Sequence, residues 1–316
     1  MKQMNDIKQV AEFLKNNDSY AILTHQFPDG DTLGSAYALC EMLQQIGKKA
    51  KVLINGTMPA KFAYLEAGID KTGFEVETVI SVDVADSKLL GELEVYTPQI
   101  KLAIDHHESH RLFAENYYIK CSASNCENIF ELGNALGIIF TKTIANAIYT
   151  GTVTDTGCFK FTNTTVETHL IAAKLMEYGC DAYKINKAMF DTVSKNKKAL
   201  ESYVIGEMQY FHNDEVAFAY TTKEILKRFD ITEDQVEGIS AIPRTIEGVK
   251  IGITLRQKDE KIFKVSVRTN DGIDASSICA RFGGGGHKAA AGCAIEGTVE
   301  QVKEIILPVV YEFLEK

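Results

Sequence analysis

The sequence predicts an α/β protein: an N-terminal parallel-sheet domain plus a smaller C-terminal α+β domain across a cleft. Three observations carry that prediction. Short apolar runs alternate with helix-period segments through the first half of the chain. From about 181 to 210 the pattern gives way to a Lys-rich helical stretch with no strand signal. Beyond it the order of elements changes to strands, a hairpin and a glycine run.

The elements follow in order. MKQMNDIKQVAEFLKNN alternates polar and apolar residues as an amphipathic helix does. YAILT (20–24) is a short apolar strand, followed by a turn that contains Pro28, Gly30 and two Asp. GSAYALCEMLQQIG reads as a helix closed by Gly47. KAKVLIN (49–55), TVISVDV (78–84) and KLAID (101–105) are further strands, and 124–150 and 164–179 read as helices. Continuous apolar strands separated by helices indicate a parallel sheet covered on both faces. After the helical segment come the strand EVAFAYT, helices near 222–241, and the strands GVKIGITLRQ and KIFKVSVRT, joined by a turn at KDEK. A helix starting near Asp274, a loop of four glycines, the strand-like AAAGCAI and an amphipathic helix from Thr298 complete the chain. The expected domains are 1–190 and 212–316, with 191–211 as a helical linker.

Composition narrows the function. The 316 residues, 45% hydrophobic and 24% charged, suffice for two ordinary cores. No apolar run approaches the roughly 18 residues of a membrane helix, and the N-terminus lacks the apolar centre of a secretion signal. No membrane partner is therefore expected. Seven Cys without C-x-x-C pairs support neither a disulfide framework nor a Cys-type zinc site. Reduced thiols in a cytoplasmic protein are the simplest reading. A net charge of −9 argues against binding long nucleic acid, which relies on basic surface. It is compatible with a small anionic substrate, and with carboxylates neutralised by metal.

The acids fall in a pattern. YAILT ends in His25, with Asp29 and Asp31 just beyond; TVISV ends in Asp83; KLAI ends in Asp105, His106 and His107. TIANAIYTGTVTDTG carries Asp155 before a Gly. A single Asp at a strand end is ordinarily a cap or turn former, and a His pair is ordinarily structural. In a parallel sheet, however, the carboxyl ends of the strands share one edge, where ligands bind at the switch in strand order. Several carboxylates gathered there cannot all stay ionised without a compensating cation. A mixed oxygen and imidazole set suits Mn²⁺, and also Fe²⁺, Co²⁺ or Zn²⁺. Six such side chains exceed one tetrahedral site and fit two ions, a common device for hydrolysing phosphate esters.

Five motifs then occur in order: THQFPDGDTLGSA, VDVAD (82–86), DHH (105–107), GTVTDTG (151–157) and GGGGHKAAAG (283–292). In this the chain resembles the DHH phosphoesterase family, specifically members with a DHH-associated C-terminal domain. Within it the likeness is to the NrnA type, the nano-RNase and pAp-phosphatase enzymes, and spans almost the whole sequence. The resemblance implies two divalent cations, Mn²⁺ being the ion expected. His25 and Asp29 match ligands of the first; Asp31, His106 and Asp155 match ligands of the second; Asp83 matches the carboxylate that bridges both. His107 matches the histidine that faces the substrate phosphate, with Asp105 orienting an imidazole or the loop. Gly283, Gly284, Gly285, Gly286 and His287 match the glycine-rich substrate loop, and Arg268 matches the arginine that holds the nucleotide's phosphate.

The implied substrates are very short oligoribonucleotides, cut to mononucleotides, and 3′-phosphoadenosine 5′-phosphate (pAp), cut to AMP. The alternative is the same chemistry on cyclic di-AMP or pApA; further off lies a nucleotide-binding module without catalysis. The family also suggests a homodimer. Three places depart from its pattern: His110 stands where Asn is frequent, Leu89 where Arg is frequent, and SASNCEN (122–128) is poorer in Thr. These touch the phosphate pocket and leave the ligand set whole.

Overall fold

The computed structural model describes residues 2–236 and 238–314. The chain divides into two units, Met1–Thr192 and Val193–Lys316. It is an α/β protein with a separate sheet in each.

The first unit is built on six strands: β1 (Lys2–Gln3), β2 (Tyr20–Leu23), β3 (Ala50–Leu53), β4 (Thr78–Val82), β5 (Ile100–Asp105) and β6 (Asn116–Ile119). They lie in the order β1-β6-β5-β4-β2-β3, and every neighbouring pair is parallel. The central strands are mostly apolar because both of their faces are covered. Along β2, Tyr20 and Ile22 point into one core and Ala21 and Leu23 into the other. The helices α1 (Ile7–Asn16), α2 (Gly30–Gln45), α3 (Asn125–Leu136) and α4 (Lys142–Asp155) fill the first core. The short-turn helical segment Ser87–Gln99 closes the second through Leu90, Leu93 and Tyr96. Each fully buried Leu or Ile, such as Leu33 or Ile22, contributes about 1.5–3 kcal/mol. Helix α5 (Val166–Glu177) and the short α6 (Ala182–Asn186) complete the unit.

Several expectations are refined. Helix α2 starts at Gly30, four residues before the predicted GSAYALC start. The reason is Asp29, whose Oδ1 accepts from the Asp31 and Thr32 backbone N–H groups and caps the helix. Asp31 therefore sits in the first helical turn rather than in a loop. The segment 124–150 holds two helices, because Gly137 adopts a left-handed conformation at φ 74° and ends α3. Strands β1 and β6 lacked any sequence signal.

In the second unit, α7 (Lys195–Gly206) and β7 (Gln209–Phe211) precede β8 (Val216–Thr221), α8 (Lys223–Arg228), β9 (Ile251–Asp259) and β10 (Ile262–Thr269). Then come α9 (Ala275–Ala280), β11 (Gly285–His287), β12 (Ala290–Glu296) and α10 (Val299–Leu314). The sheet order is β11-β12-β10-β9-β8-β7, antiparallel except for β8 with β9. Residues 193–211, read from the sequence as connecting helix, take part in this unit. Leu200 and Val204 of α7 are buried in its core, and β7 is an edge strand. The helical expectation for 222–241 reduces to α8 and short 3₁₀ turns. The hairpin turn narrows to Glu260 and Lys261, since β9 continues through Asp259. Half of the expected glycine loop is strand: Gly285 and Gly286 pair with β12.

Among the described residues no helix is long and apolar enough to cross a membrane.

Candidate active site

Strand order switches at β2. The chain leaves β2 for β3 on one side and returns to β4 on the other. This is where an open parallel sheet leaves a crevice beyond its carboxyl ends. The residues that follow β2, β4 and β5 converge there with the end of α4. They form a cavity of about 240 Å³ lined by His25, Gln26, Phe27, Asp29, Asp83, Ala85, Leu89, His106, His107 and Asp155. Among the described residues that line it there is no Lys or Arg.

Asp83 is the centre of the group. It is 4% exposed and directly follows β4, with its backbone in the left-handed region at φ 57°. For a residue with a Cβ that conformation costs about 1–2 kcal/mol, so the surrounding structure holds it there. Its two oxygens face different partners. Oδ2 lies 3.9 Å from His25 Nε2, and Oδ1 lies 3.4 Å from His106 Nε2. Oδ1 is buried and accepts no hydrogen bond. An orphaned buried carboxylate oxygen is costly unless a cation meets it.

Two sets of donor atoms flank Asp83. His25, Asp29 and Asp83 have ligand-capable atoms within 4.8 Å of one another, as do Asp31, His106 and Asp155. In the first set, His25 Nε2 is 3.7 Å from Asp29 Oδ2. Asp29 thus divides its oxygens, Oδ1 to the helix cap and Oδ2 to the site. In the second, His106 Nε2 is 3.7 Å from Asp31 Oδ2 and 3.8 Å from Asp155 Oδ2. Asp31 is fixed by the start of α3, where the Asn125 and Cys126 backbone N–H groups donate to it at 2.6 and 2.9 Å. Helix α4 comes close enough for this because residue 151 is Gly; a Cβ there would sit 2.6 Å from Asp31 Oδ1. His106 Nδ1 donates to the Ser122 carbonyl at 3.0 Å. A carbonyl only accepts, so Nδ1 carries a proton and Nε2 is the atom turned towards the acids.

Asp105 is fully buried, with a ligand-capable oxygen within 4.8 Å of those of Asp83, His106 and His107. Its Oδ1 accepts from His107 Nδ1 at 2.8 Å and its Oδ2 from His110 Nδ1 at 2.7 Å. Burial alone would raise its pKa; the hydrogen bonds from the two imidazoles outweigh that and hold it well below the usual carboxylate range. Asp105 thereby fixes the ring of His107, which stays part-exposed at the cavity.

The electrostatics report crowded negative charge. Burial, then the neighbouring Asp83 and Asp155, push Asp31 well above the ordinary Asp pKa. Asp155 is pushed up to about 6, by burial first and then by Asp83 and Asp29 against the opposing pull of His106. For His106, burial opposes the charged form, yet Asp83 Oδ1 at 3.4 Å and the field of Asp31 raise it to about 11, so the metal-free ring itself draws a proton towards the acids. The carboxylates draw positive charge to themselves, and a mixed oxygen and imidazole set with an unmatched buried oxygen fits divalent cations.

The structure therefore brings His25, Asp29, Asp31, Asp83, His106, His107 and Asp155 to one place, with Asp105 behind them. The other predicted residues belong to the second unit. Arg268 and Gly285 line a separate, open hollow of about 440 Å³ with Lys264, Ser266 and Ala290 to Cys293. Arg268 is half-buried, and its Nη1 reaches only the Val267 and Ala291 carbonyls. Gly283, Gly284, Gly286 and His287 do not line that hollow. Gly284 answers to packing: a Cβ there would lie 2.3 Å from the Gly292 carbonyl oxygen. Two residues of the first site were missed from sequence. His110 was noted only as a departure, although DHHESH places it a turn after His107. Ser122 acts through its main chain, which no side-chain pattern reports.

Comparison with known proteins identifies the family. Residues 19–152 match the DHH family, N-terminal domain, and residues 213–316 match the DHHA1 domain. The bifunctional oligoribonuclease and PAP phosphatase NrnA of Thermus thermophilus is 30% identical over 321 residues, covering 98% of this chain and 95% of that protein. Its namesake in Bacillus subtilis is 25% identical over 284 residues, 88% of this chain and 90% of the relative. An exopolyphosphatase-related protein from Bacteroides fragilis superposes with a TM-score of 0.88 at 25% identity, over 97% of this chain and 96% of that one. Fold and relatives define a hydrolase that acts on phosphate ester bonds. The chain belongs to the DHH family, in the branch whose second domain is DHHA1.

Proposed function

We propose that the chain hydrolyses short oligoribonucleotides to mononucleotides and pAp to AMP, with two divalent cations, Mn²⁺ first among them. The observation that carries this is Asp83, buried between two ligand sets with one oxygen unmatched. The substrates are supported by the relatives, which are named for oligoribonuclease and PAP phosphatase activity. His25 and Asp29 would hold one cation, Asp31, His106 and Asp155 the other, and Asp83 both. When bound, such ions supply an activated water nucleophile and neutralise the non-bridging phosphate oxygens.

The chain's own groups do the rest. Asp105 and Ser122 fix the tautomers of His107 and His106, so each imidazole presents a defined Nε2. The hydrogen bond to Asp105 favours the protonated form of His107 and raises its pKa. His107 would then donate from Nε2 to a phosphate oxygen or assist the leaving alkoxide. Arg268 would grip the nucleotide's other phosphate, for which its free guanidinium edge is suited. The acidic surface and a grip on one terminal phosphate both favour short substrates over long polymers.

A substrate panel with Mn²⁺ tests the reading. The expected result is hydrolysis of pAp, pApA and a short oligoribonucleotide, with little action on long RNA. A dominant preference for cyclic di-AMP would overturn the substrate assignment.

A further inference from the structure

We propose that Phe27, flanked by Ala85 and Leu89, is a nucleobase subsite at the mouth of the acid cavity. It holds the nucleoside on the far side of the scissile phosphate. The inference rests on the reading that the substrates are nucleotides.

The cavity lining is of two kinds. The ionisable residues described above surround Asp83. The same cavity is also lined by Phe27, Ala85 and Leu89, which have no part in that chemistry. Phe27 is 76% exposed and Leu89 is 40% exposed. A single exposed apolar side chain is ordinary. Two large ones lining one charged cavity, on loops joined by the Gln26 N–H to Leu89 carbonyl bond, give that cavity an apolar lip. An anion is held by N–H donors and cations, and gains nothing from such a surface. The flat face of a base stacks on it.

The lip is held on both sides. The Gln26 backbone N–H donates to the Leu89 carbonyl at 2.7 Å, tying the two loops together. Pro28 and the Asp29 cap follow Phe27 directly. From the other loop, the Asn55 side chain donates to the Leu90 carbonyl and accepts from the Glu92 N–H at 3.0 and 2.8 Å. Gly91, at φ 58°, lies so near Gln26 that a Cβ would come within 2.7 Å of the Gln26 Cβ. The backbone beneath the aromatic ring is therefore in place before a ligand arrives, which lowers the ordering cost of binding.

Substrate chemistry decides which base this is. In pAp the phosphate to be removed carries no second nucleoside; in a dinucleotide it does. The lip belongs to the same cavity as the acids, so it is placed for the nucleoside joined to the phosphate they would hold, which in a dinucleotide includes the second one. An Arg at position 89 would place a charge there; Leu89 makes it apolar.

The test uses the full chain with Mn²⁺ and three substrates: pAp, pApA, and a pApA analogue whose second sugar is abasic. Phe27→Ala is expected to lower the ratio of kcat/KM for pApA over pAp about tenfold, through KM, as the loss of one base stack does. Phe27→Trp restores the ratio. The wild-type chain prefers pApA over the abasic analogue, and Phe27→Ala erases that preference. An unchanged ratio, or an equal loss on the abasic analogue, would overturn the subsite while leaving the functional reading intact. A wild-type chain that cleaves neither pAp nor pApA would overturn the reading and the subsite with it.

Discussion

The acid cavity and the hollow beside Arg268 are built in opposite ways. The acid cavity of the first unit gathers side chains from four separated stretches of sequence, and most of them are restrained by a second contact. Asp29 caps a helix, Asp31 accepts from two backbone N–H groups, and His106 and His107 are each tethered through Nδ1. The hollow of the second unit lies on the open face of an antiparallel ladder. Lys264, Ser266 and Arg268 alternate along β10 beside the small residues Ala290 and Gly292 of β12. Its cations lack carboxylate partners among the described residues. Burial, and then the neighbouring Arg256, Lys258 and Arg268, hold the Lys264 pKa below the ordinary lysine value. One hollow concentrates negative charge and suits cations; the other concentrates positive charge and suits anions.

If the acid cavity is the reacting site and the basic hollow only binds, substitutions should sort by size. The largest effect is expected from Asp83→Ala: a fall in kcat/KM of several orders of magnitude, because one carboxylate serves both ligand sets. Near-normal turnover would break the comparison at its centre. Asp83→Asn should be as inactive, yet in chelator the variant should melt above the wild type, since it relieves carboxylate crowding. His107→Ala comes next, with kcat reduced about 10²- to 10⁴-fold and cation affinity retained, as measured by titration calorimetry. Third, Mn²⁺ at about one hundred times its dissociation constant should stabilise the native state by about 2.7 kcal/mol, lost again with chelator. Hydrogen exchange should locate that protection in β2, β4 and β5 and leave β9 and β10 unmoved; protection confined to the second unit would reverse the roles. The smallest of the four is Arg268→Ala, expected to raise KM about tenfold with kcat nearly unchanged, as lost ground-state binding does. An unchanged KM would remove the basic hollow from substrate binding.

The two units also differ in how much of them the sequence reveals. Strands β2, β4 and β5 were legible because they are buried almost throughout and their runs are mainly apolar. β1 and β6 were not: Lys2–Gln3 is polar, and NYYI is short and only partly buried. The acids of the first site could be named singly and their meeting argued from the strand-end rule. What fixes them could not be read, because it is largely main-chain contact across the fold, from Asn125, Cys126 and Ser122. The start of α2 was misplaced because Pro-Asp-Gly-Asp looks like a turn until the cap from Asp29 is seen. In the second unit the glycine run suggested a loop, whereas two of its residues join a strand edge and Gly284 meets the Gly292 carbonyl.

Asp29 ties the acid cavity to the architecture around it. One of its oxygens starts α2, a helix buried along almost its whole length, while the other points at His25. A descendant that abandoned the reaction could discard His25 at little structural cost. It could not discard Asp29 without loosening the helix on which the first core is assembled. Erosion of activity in such lineages should therefore begin at the imidazoles and reach this carboxylate last.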